Sequence, residues 1–476
     1  MRGFLRMSFA VEIWQTKGMQ DNANVCAHGD SKKTGRVCEH LAHKVSEEYY
    51  KSADHYRFFT GNGNDFVLLC SECARAPEDS KIHWRTVCDS CGRKIACGKR
   101  LGEAGRPEIK TRNGVVTIMH REVRSSGMPS SVIAAAPLGV TEAGGWLLLT
   151  DRHELVRLMT DVNAHVCRTL PVRPELEKGA PLSLHVSHDG RFAAITATYG
   201  RKGVVVDLEQ NRILMELLRG DYQHEQCKFP VAFAEHDGKQ VVIHGTDWNR
   251  LDITELPSGR LLTHREPTSY TDGQERPAHY LDYFQCSLTV SPDGSQVASN
   301  GWAWHPVGIV GTWSLKQWLS DNVWESEDGA SKKTLCWRTY YWDGPLCWID
   351  EHTLAVWGLG DDDLVLTPGV RLFDVDRGEE KFSFAGPVGG SRHDTLQMGG
   401  EKEEFIHGAG NLVYDRWLFS WMEGKPFSIW DINDGARLWE ETEFTPLGYH
   451  SGKRQFLSVT PDGSLCVSHV QNIASG

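Results

Sequence analysis

The sequence predicts an all-β fold: a seven-bladed β-propeller over about residues 115–470, preceded by a small cysteine-rich module. Three observations carry this expectation. An Asp-Gly turn recurs behind apolar runs, a second strand signature recurs in phase with it, and seven of the thirteen cysteines fall before residue 98. A chain of 476 residues exceeds one ordinary small domain, so a repeat array plus an extra module accounts for the length. With 40% hydrophobic residues, 47 Gly and 17 Trp it sustains a large packed core.

The turn occurs at Ser187-His188-Asp189-Gly190, Glu235-His236-Asp237-Gly238, Ser291-Pro292-Asp293-Gly294 and Thr460-Pro461-Asp462-Gly463. Each is followed at once by a β-rich run, beginning at Phe192, Gln240, Gln296 and Ser464. Asp and Gly supply the backbone angles of a tight hairpin, so each unit reads strand, turn, strand. The second signature is an apolar strand ending in an acidic or polar residue, one apolar residue and a turn. Its marker positions are Asp161, Asp207, Glu255, Ser314, Asp374 and Asp431, spaced by 46, 48, 59, 60 and 57 residues. Propeller repeats run at about 40–50 residues, so the later units carry insertions.

On these residues, above all Ser291-Pro292-Asp293-Gly294 and Trp430-Asp431, the chain from about 131 to 470 resembles the WD-repeat and related propeller families. The Gly-His dipeptide that opens a WD repeat is missing from these units. The resemblance implies the fold and leaves the chemistry open.

Inner strands are expected near 131–137, 182–188, 229–235, 286–292, 345–350, 409–415 and 455–461. The seventh unit then holds only two strands before the chain ends, and half a blade exposes unpaired sheet edges. The segment 114–123, from Gly114-Val115-Val116 onward, is expected to close the ring by pairing beside Leu465–Val470. Six blades with a ragged tail is the alternative. The expected organisation is thus a flexible N-terminus over 1–25, a zinc-binding module over 26–105, and the propeller over 106–476.

In the module, Cys70-Ser-Glu-Cys73 and Cys88-Asp-Ser-Cys91 are two Cys-x-x-Cys knuckles at zinc-ribbon spacing. Two residues between thiolates let both sulfurs reach one tetrahedral ion. Zinc is therefore the expected cofactor, with redox knuckles or free thiols as the alternatives. A second zinc would take Cys38 and His40 plus two of Cys97, His83, His43, Cys26 and His28. The run Cys38-Glu-His40, Cys70/Cys73, Cys88/Cys91 and Cys97-Gly98-Lys99 loosely resembles the ubiquitin-binding zinc-finger family. That family continues with histidines soon after its last cysteine, whereas here the next is His120, so the resemblance implies metal ligands and stops short of ubiquitin recognition. The other six cysteines, spread singly, read as buried small hydrophobes in a reducing compartment.

Charge is uneven. Residues 1–110 hold 18 Lys and Arg against 14 Asp and Glu, so the remainder carries 33 basic against 49 acidic residues, a balance of -16. An acidic propeller repels nucleic acid and anionic membrane. The basic stretch 81–112 is the place where nucleic acid would bind, and it lacks interleaved aromatics apart from Trp84. Arg6 and Glu12 interrupt the apolar character of the first residues, and no apolar run approaches a membrane span, so the chain reads as cytoplasmic.

No phosphate-cradling glycine loop, Gly-x-Ser-x-Gly elbow or His-Glu-x-x-His helix occurs. The expected function is a non-catalytic platform for a protein partner. A propeller hydrolase or lyase with a central-channel site is the rival, with His185, His244, His305 and Asp247 as its candidates. The insertions 266–285, 320–340, 358–369 and 386–410 are expected on the face of the second-to-third turns and the links between blades. Trp302, Trp304, Tyr340, Tyr341, Trp342 and the acidic Asp361, Asp362 and Asp363 are the expected contacts there.

Overall fold

In the computed structural model the chain divides into two units, Met1–Arg106 and Pro107–Gly476. The structure describes residues 109–472 apart from 124–130, 140, 142–143, 161–164, 172–175, 177–179, 272, 305–306, 340, 361–365 and 399–400. It describes 165–167, 339, 391–407 and four strands of the first unit by their backbone alone. Those four strands form one sheet in the order His55–Phe59, Phe66–Cys70, Thr34–Cys38, Trp84–Cys88.

The second unit is a ring of seven blades. The first is Val132–Pro137, Trp146–Thr150, Leu155–Thr160 and His165–Thr169. The second runs from Leu182–Val186 to Arg212–Leu218, and the third has three strands, Val231–His236, Lys239–Asp247 and Arg250–Glu255. The fourth blade spans Phe284–Val290 to Lys333–Thr339, the fifth Leu346–Trp348 to Glu379–Ala385, and the sixth Asn411–Asp415 to Ala436–Glu441. The seventh is Pro446–His450, Gln455–Val459, Leu465–Asn472 and, from the far end of the chain, Val116–Val123.

Packing between blades decides the count. Successive side chains of a strand point to opposite faces, and each blade is covered on both faces, so central strands read as continuous apolar runs such as Trp-Leu-Leu-Leu and Phe-Ala-Ala-Ile. Leu147 and Leu149 pack with Ala193 and Ile195 of the second blade, while Trp146 and Leu148 face Leu457 and Val467 of the seventh. Phe192 and Ala194 face the third blade through Val231 and Val242. Further cores join the third blade to the fourth, the fourth to the fifth, the fifth to the sixth and the sixth to the seventh. Seven interfaces close the circle.

The closing strand pairs antiparallel with Leu465–Asn472, from Leu465 opposite Val123 to Asn472 opposite Val116. Ahead of it, residues 110–112 run along the outer edge of the sixth blade: Arg112 N donates to Arg437 O and Arg437 N to Lys110 O, both at 2.8 Å. Arg112 also pairs with Asp431 and Asp434, and Lys110 Nζ donates to Asp434 O. Two cations of the basic 81–112 stretch are thus committed to the propeller's own acidic turn.

The turns explain the repeat. Ser187 Oγ and Ser291 Oγ donate to Asp189 and Asp293 two residues on, and accept the backbone N–H of Phe192 and Gln296, so side chains replace the missing ladder partners. At the third-strand ends, Asp207 accepts from Glu209 and Gln210, and Asp431 from Asn433. Asp374 is held below the usual carboxylate range by the backbone N–H of Arg377. Ser314 plays the same part differently: its hydroxyl accepts from Gln317 N and caps the helix Leu315–Ser320.

Two expectations are corrected. Pro446–His450, not 455–461, is the innermost strand of the seventh blade, and the Thr460–Gly463 turn joins its second strand to its third. The inner strand carries Pro and Gly and reads as a connection, so the Asp-Gly signal there is shifted by one strand. The insertion expected at 320–340 is really the helical connection Leu315–Lys332 between the third and fourth strands of the fourth blade. It lies on the opposite face from the one expected, because Ser314 starts a helix where the other blades make a short turn.

The third blade lacks a regular fourth strand, and the segment after it substitutes. Thr254 bridges to Leu261, Ile253 N donates to Thr263 Oγ1, and Arg265 donates to Leu251 O. Arg265 is buried with Asp252 at 2.7 Å and Glu327 at 2.6 Å, which ties this edge to the helical insertion. Among the described residues no helix is long and apolar enough to cross a membrane.

Candidate binding face

The second-to-third turns and the blade-to-blade links open on one face, and there the chain gathers aromatic rings. Trp248 sits in the second-to-third turn of the third blade, Trp302 and Trp304 at that of the fourth, and Tyr222 in the link before the third. Tyr270 and Tyr280 belong to the link before the fourth blade, and Trp342 to the link before the fifth. Phe284, Trp302 and Trp342 form a stacked floor, with centroids 4.0 and 5.1 Å apart. Above it, Tyr222 lies 5.5 Å from Trp248, 5.6 Å from Phe284 and 6.3 Å from Trp304. The patch continues from Trp248 through Tyr280 to Tyr270.

Exposure sorts these rings. Tyr222, Trp304 and Tyr270 are 46, 43 and 41% exposed, whereas Trp302 and Tyr341 are 2% and Trp342 is 9% exposed. The expectation of solvent-facing contacts is therefore corrected at Trp302, Tyr341 and Trp342. Trp302 is clamped between Phe284 and Trp342. Tyr341 fills the core between the fifth and sixth blades and donates to Gly390 O, and Trp342 Nε1 donates to Gln226 O. Trp304 keeps the predicted exposure. Tyr222 and Tyr270 escaped notice because each stands alone in a polar link, with only tertiary contact bringing the rings together. Tyr340, Asp361, Asp362 and Asp363 lie outside the described residues.

A buried polar network pins the links beneath the patch. Asp343 accepts from Lys228 N at 2.6 Å, Ser287 N at 3.0 Å and Ser287 Oγ at 2.7 Å. Lys228 Nζ donates to Asp343 O and Gly408 O, so residues at the entries of the third, fourth, fifth and sixth blades meet at one point. Arg219 donates to the carbonyls of Gly200, Lys228, His224 and Cys227. The charged groups of Asp343, Lys228 and Arg219 are matched to partners within the links, which fixes the links that present the aromatic rings.

The described catalytic candidates are each engaged locally. His244 donates or accepts with Thr254 Oγ1 at 3.1 Å inside the third blade, and burial lowers its pKa. Asp247 accepts from Trp248 N and from Ser269 Oγ within its own turn region. His185 is pushed down to about 4 by burial on the inner strand of the second blade. His305 lies outside the described residues. Among the described residues no group of three His, Cys, Asp or Glu is placed to hold a metal ion.

The expected zinc ligands fall in the first unit, and His40, Cys73 and Cys91 lie outside the described residues. The backbone places Cys38, Cys70 and Cys88 each at the end of a strand. Thr34–Cys38 and Phe66–Cys70 are parallel neighbours, so Cys38 and Cys70 end at the same edge. Trp84–Cys88 runs antiparallel, with Cys88 opposite Thr34, so it ends at the other edge.

No protein-family model matches the chain, and no curated protein matches its sequence. Among solved structures the chain is similar to the WD40 repeats of RRP9, with 9% identity, 77% of this chain and 100% of that chain covered, and a TM-score of 0.46. It is similar to U3-55K at 10% identity, with 74 and 98% covered and a TM-score of 0.45. A chain of a mitotic checkpoint complex is similar at 11% identity, with 73 and 98% covered and a TM-score of 0.43. The seven-bladed architecture itself rests on the strand pairing and the seven inter-blade cores.

Proposed function

We propose that the propeller is a non-catalytic protein-protein interaction platform whose contact face is the one bearing Tyr222, Trp304 and Tyr270. The carrying observation is that two large exposed rings, Tyr222 and Trp304, gather over a buried stack, with Tyr270 continuing the patch through Tyr280. Scattered exposed aromatics are ordinary on a protein surface, but a cluster over a fixed support is what interface anchors require. The polar network through Asp343 supports the reading, since pre-ordered links lose little freedom on binding. The test is a Tyr222→Ala, Trp304→Ala double variant compared with wild type by crosslinking in cells. Loss of specific crosslinked partners at unchanged melting temperature supports the platform; an unchanged partner set refutes it at this face.

The same proposal places a zinc-holding module ahead of the propeller. It is supported by the two-residue spacing within each Cys-x-x-Cys pair. The strand register groups Cys38 with Cys70 and separates them from Cys88, which counts against the single site on Cys70, Cys73, Cys88 and Cys91 expected from the sequence. Cys38 with His40 and Cys70 with Cys73 then make one ligand set, and Cys88 with Cys91 contribute elsewhere. A cytoplasmic location belongs to the proposal too, supported by the unbridged thiols of Cys227, Cys286, Cys347 and Cys466.

A further inference from the structure

We infer that the aromatic patch takes a guanidinium group, so that its partner presents an arginine-bearing segment; this rests on the reading of that face as a contact surface. Three observations converge on a cation. The first is chemical: Tyr222 and Trp304 are half-exposed rings 6.3 Å apart, held from below by Phe284, and ring faces of this kind attract cations.

The second is electrostatic. Asp221 adjoins Tyr222 with its side chain 79% exposed, in a loose 3.9 Å ion pair with Arg201. Burial pushes the Tyr280 hydroxyl up to about 12, and the Asp282 carboxylate adds to the shift. Asp221 and Asp282 thus set carboxylates beside the rings, with Arg201 and Arg276 at the border, on a propeller whose sequence carries an excess of acid. Carboxylates so placed draw a basic segment in and reject an acidic one.

The third is a pattern within the chain. Arg276 lies over the Tyr280 ring at 4.2 Å, at the border of the same patch. Arg265 lies over Trp324 at 5.3 Å while pairing with Asp252 and Glu327. Ring plus carboxylate is a guanidinium seat this fold already uses at Arg265, at Arg191 over Phe192 with Asp207, and at Arg371 over Phe373 with Glu380. Planar, weakly hydrated arginine suits a stacked seat better than a compact ammonium.

The experiment titrates the full chain with two fluorescent Gly/Ser peptides, identical except that one carries three arginines and the other three citrullines. Citrulline keeps the plane and loses the charge. At physiological salt the arginine peptide is expected to bind saturably and the citrulline peptide about tenfold more weakly or worse. Tyr222→Ala with Trp304→Ala should cost about tenfold for the arginine peptide, and Asp221→Asn about threefold. Equal binding of the two peptides, an unchanged affinity in the double variant, or no saturable binding by about 1 mM overturns the inference. The two readings fail separately. If the double variant loses its cellular partners while the arginine peptide does not bind, the contact face stands and the guanidinium seat falls. If it keeps every partner, the contact face falls with it.

Discussion

Closure of the ring by Val116–Val123 can be weighed one side chain at a time. Val116 is fully buried among Phe419, Trp421, Phe427, Phe444 and Phe456, whereas Met119 on the same strand is 54% exposed. Val116→Ala removes two methyl groups from that aromatic core. The transfer loss is about 1.6 kcal/mol at roughly 0.8 kcal/mol per methylene, and the cavity left among rigid rings raises the cost to about 2–3 kcal/mol. With unfolding entropy scaling with chain length, a unit of this size should melt about 3 °C lower. Met119→Ala should move the melting point hardly at all, by about 0.5 kcal/mol or less. Scanning calorimetry gives the midpoints, and amide exchange along Leu465–Asn472 reports whether the seventh blade opens first. The harsher form compares truncations. Removing residues 1–108 keeps both the 110–112 strap and the closing strand, while removing 1–123 exposes the whole Leu465–Asn472 edge and strips cover from Phe444 and Phe456. Equal melting of the two truncations, or a Val116 variant indistinguishable from the Met119 variant, would refute closure by this strand.

Three further outcomes are expected. His450 is fully buried against Trp146, and burial first, then Lys453, pushes it down to about 4. Between pH 6.5 and 4 the unfolded imidazole binds a proton that the folded one refuses, so stability present above pH 6.5 is lost as pH falls through this window, by about 2 kcal/mol at pH 5. His185, also near 4, adds in the same direction. His450→Gln should flatten the fall in melting temperature between pH 7 and 5, and an unaltered slope would count against the assignment. Arg265→Ala leaves the buried Glu327 carboxylate without its cation and Asp252 with Arg250 alone, and should cost about 3 kcal/mol or more, with Glu327→Gln recovering part of it in denaturant titrations. Purified protein should contain zinc; Cys38→Ser with Cys70→Ser should lose one ion and leave the propeller's melting transition in place, as metal analysis and calorimetry would show. Zinc-free wild-type protein, prepared without chelator, would remove the metal from the account.

How much was legible follows from what each residue answers to. The Asp-Gly turns and the acidic third-strand ends act locally: Asp189 and Asp431 satisfy backbone groups two or three residues away, so their spacing survives in the sequence whatever surrounds them. The central strands were legible because burial on both faces leaves an unbroken apolar run. The seventh inner strand was not, because Pro446–His450 gains its place from neighbours: Tyr449 packs on Phe419 and Phe456, and its hydroxyl donates to Asp415. The third blade's edge was illegible for a related reason. Its outer ladder is completed by Thr263 and Arg265 side chains rather than by a strand with a period of two.

The contact face marks the limit of such reading. Tryptophan density near 302–342 pointed to the right region and the wrong rings, because a sequence shows how many aromatics a segment carries and not which of them the fold stacks beneath the others. Trp302 and Trp304 are two residues apart: Trp302 is the penultimate residue of the fourth blade's second strand and packs inward between Phe284 and Trp342, while Trp304 begins the following turn and stays out. The platform reading rests on the support under the face. Lys228, Ser287, Asp343 and Gly408 lock four blade entries together. A channel site would need the links to leave its mouth open and to turn acids, bases or histidines toward one point. Here the described links spend their charges on each other, with Arg219 and Lys228 holding backbone carbonyls and Asp343 holding backbone and hydroxyl donors. Groups used in this way hold a surface still, which is what the proposed binding by Tyr222 and Trp304 requires.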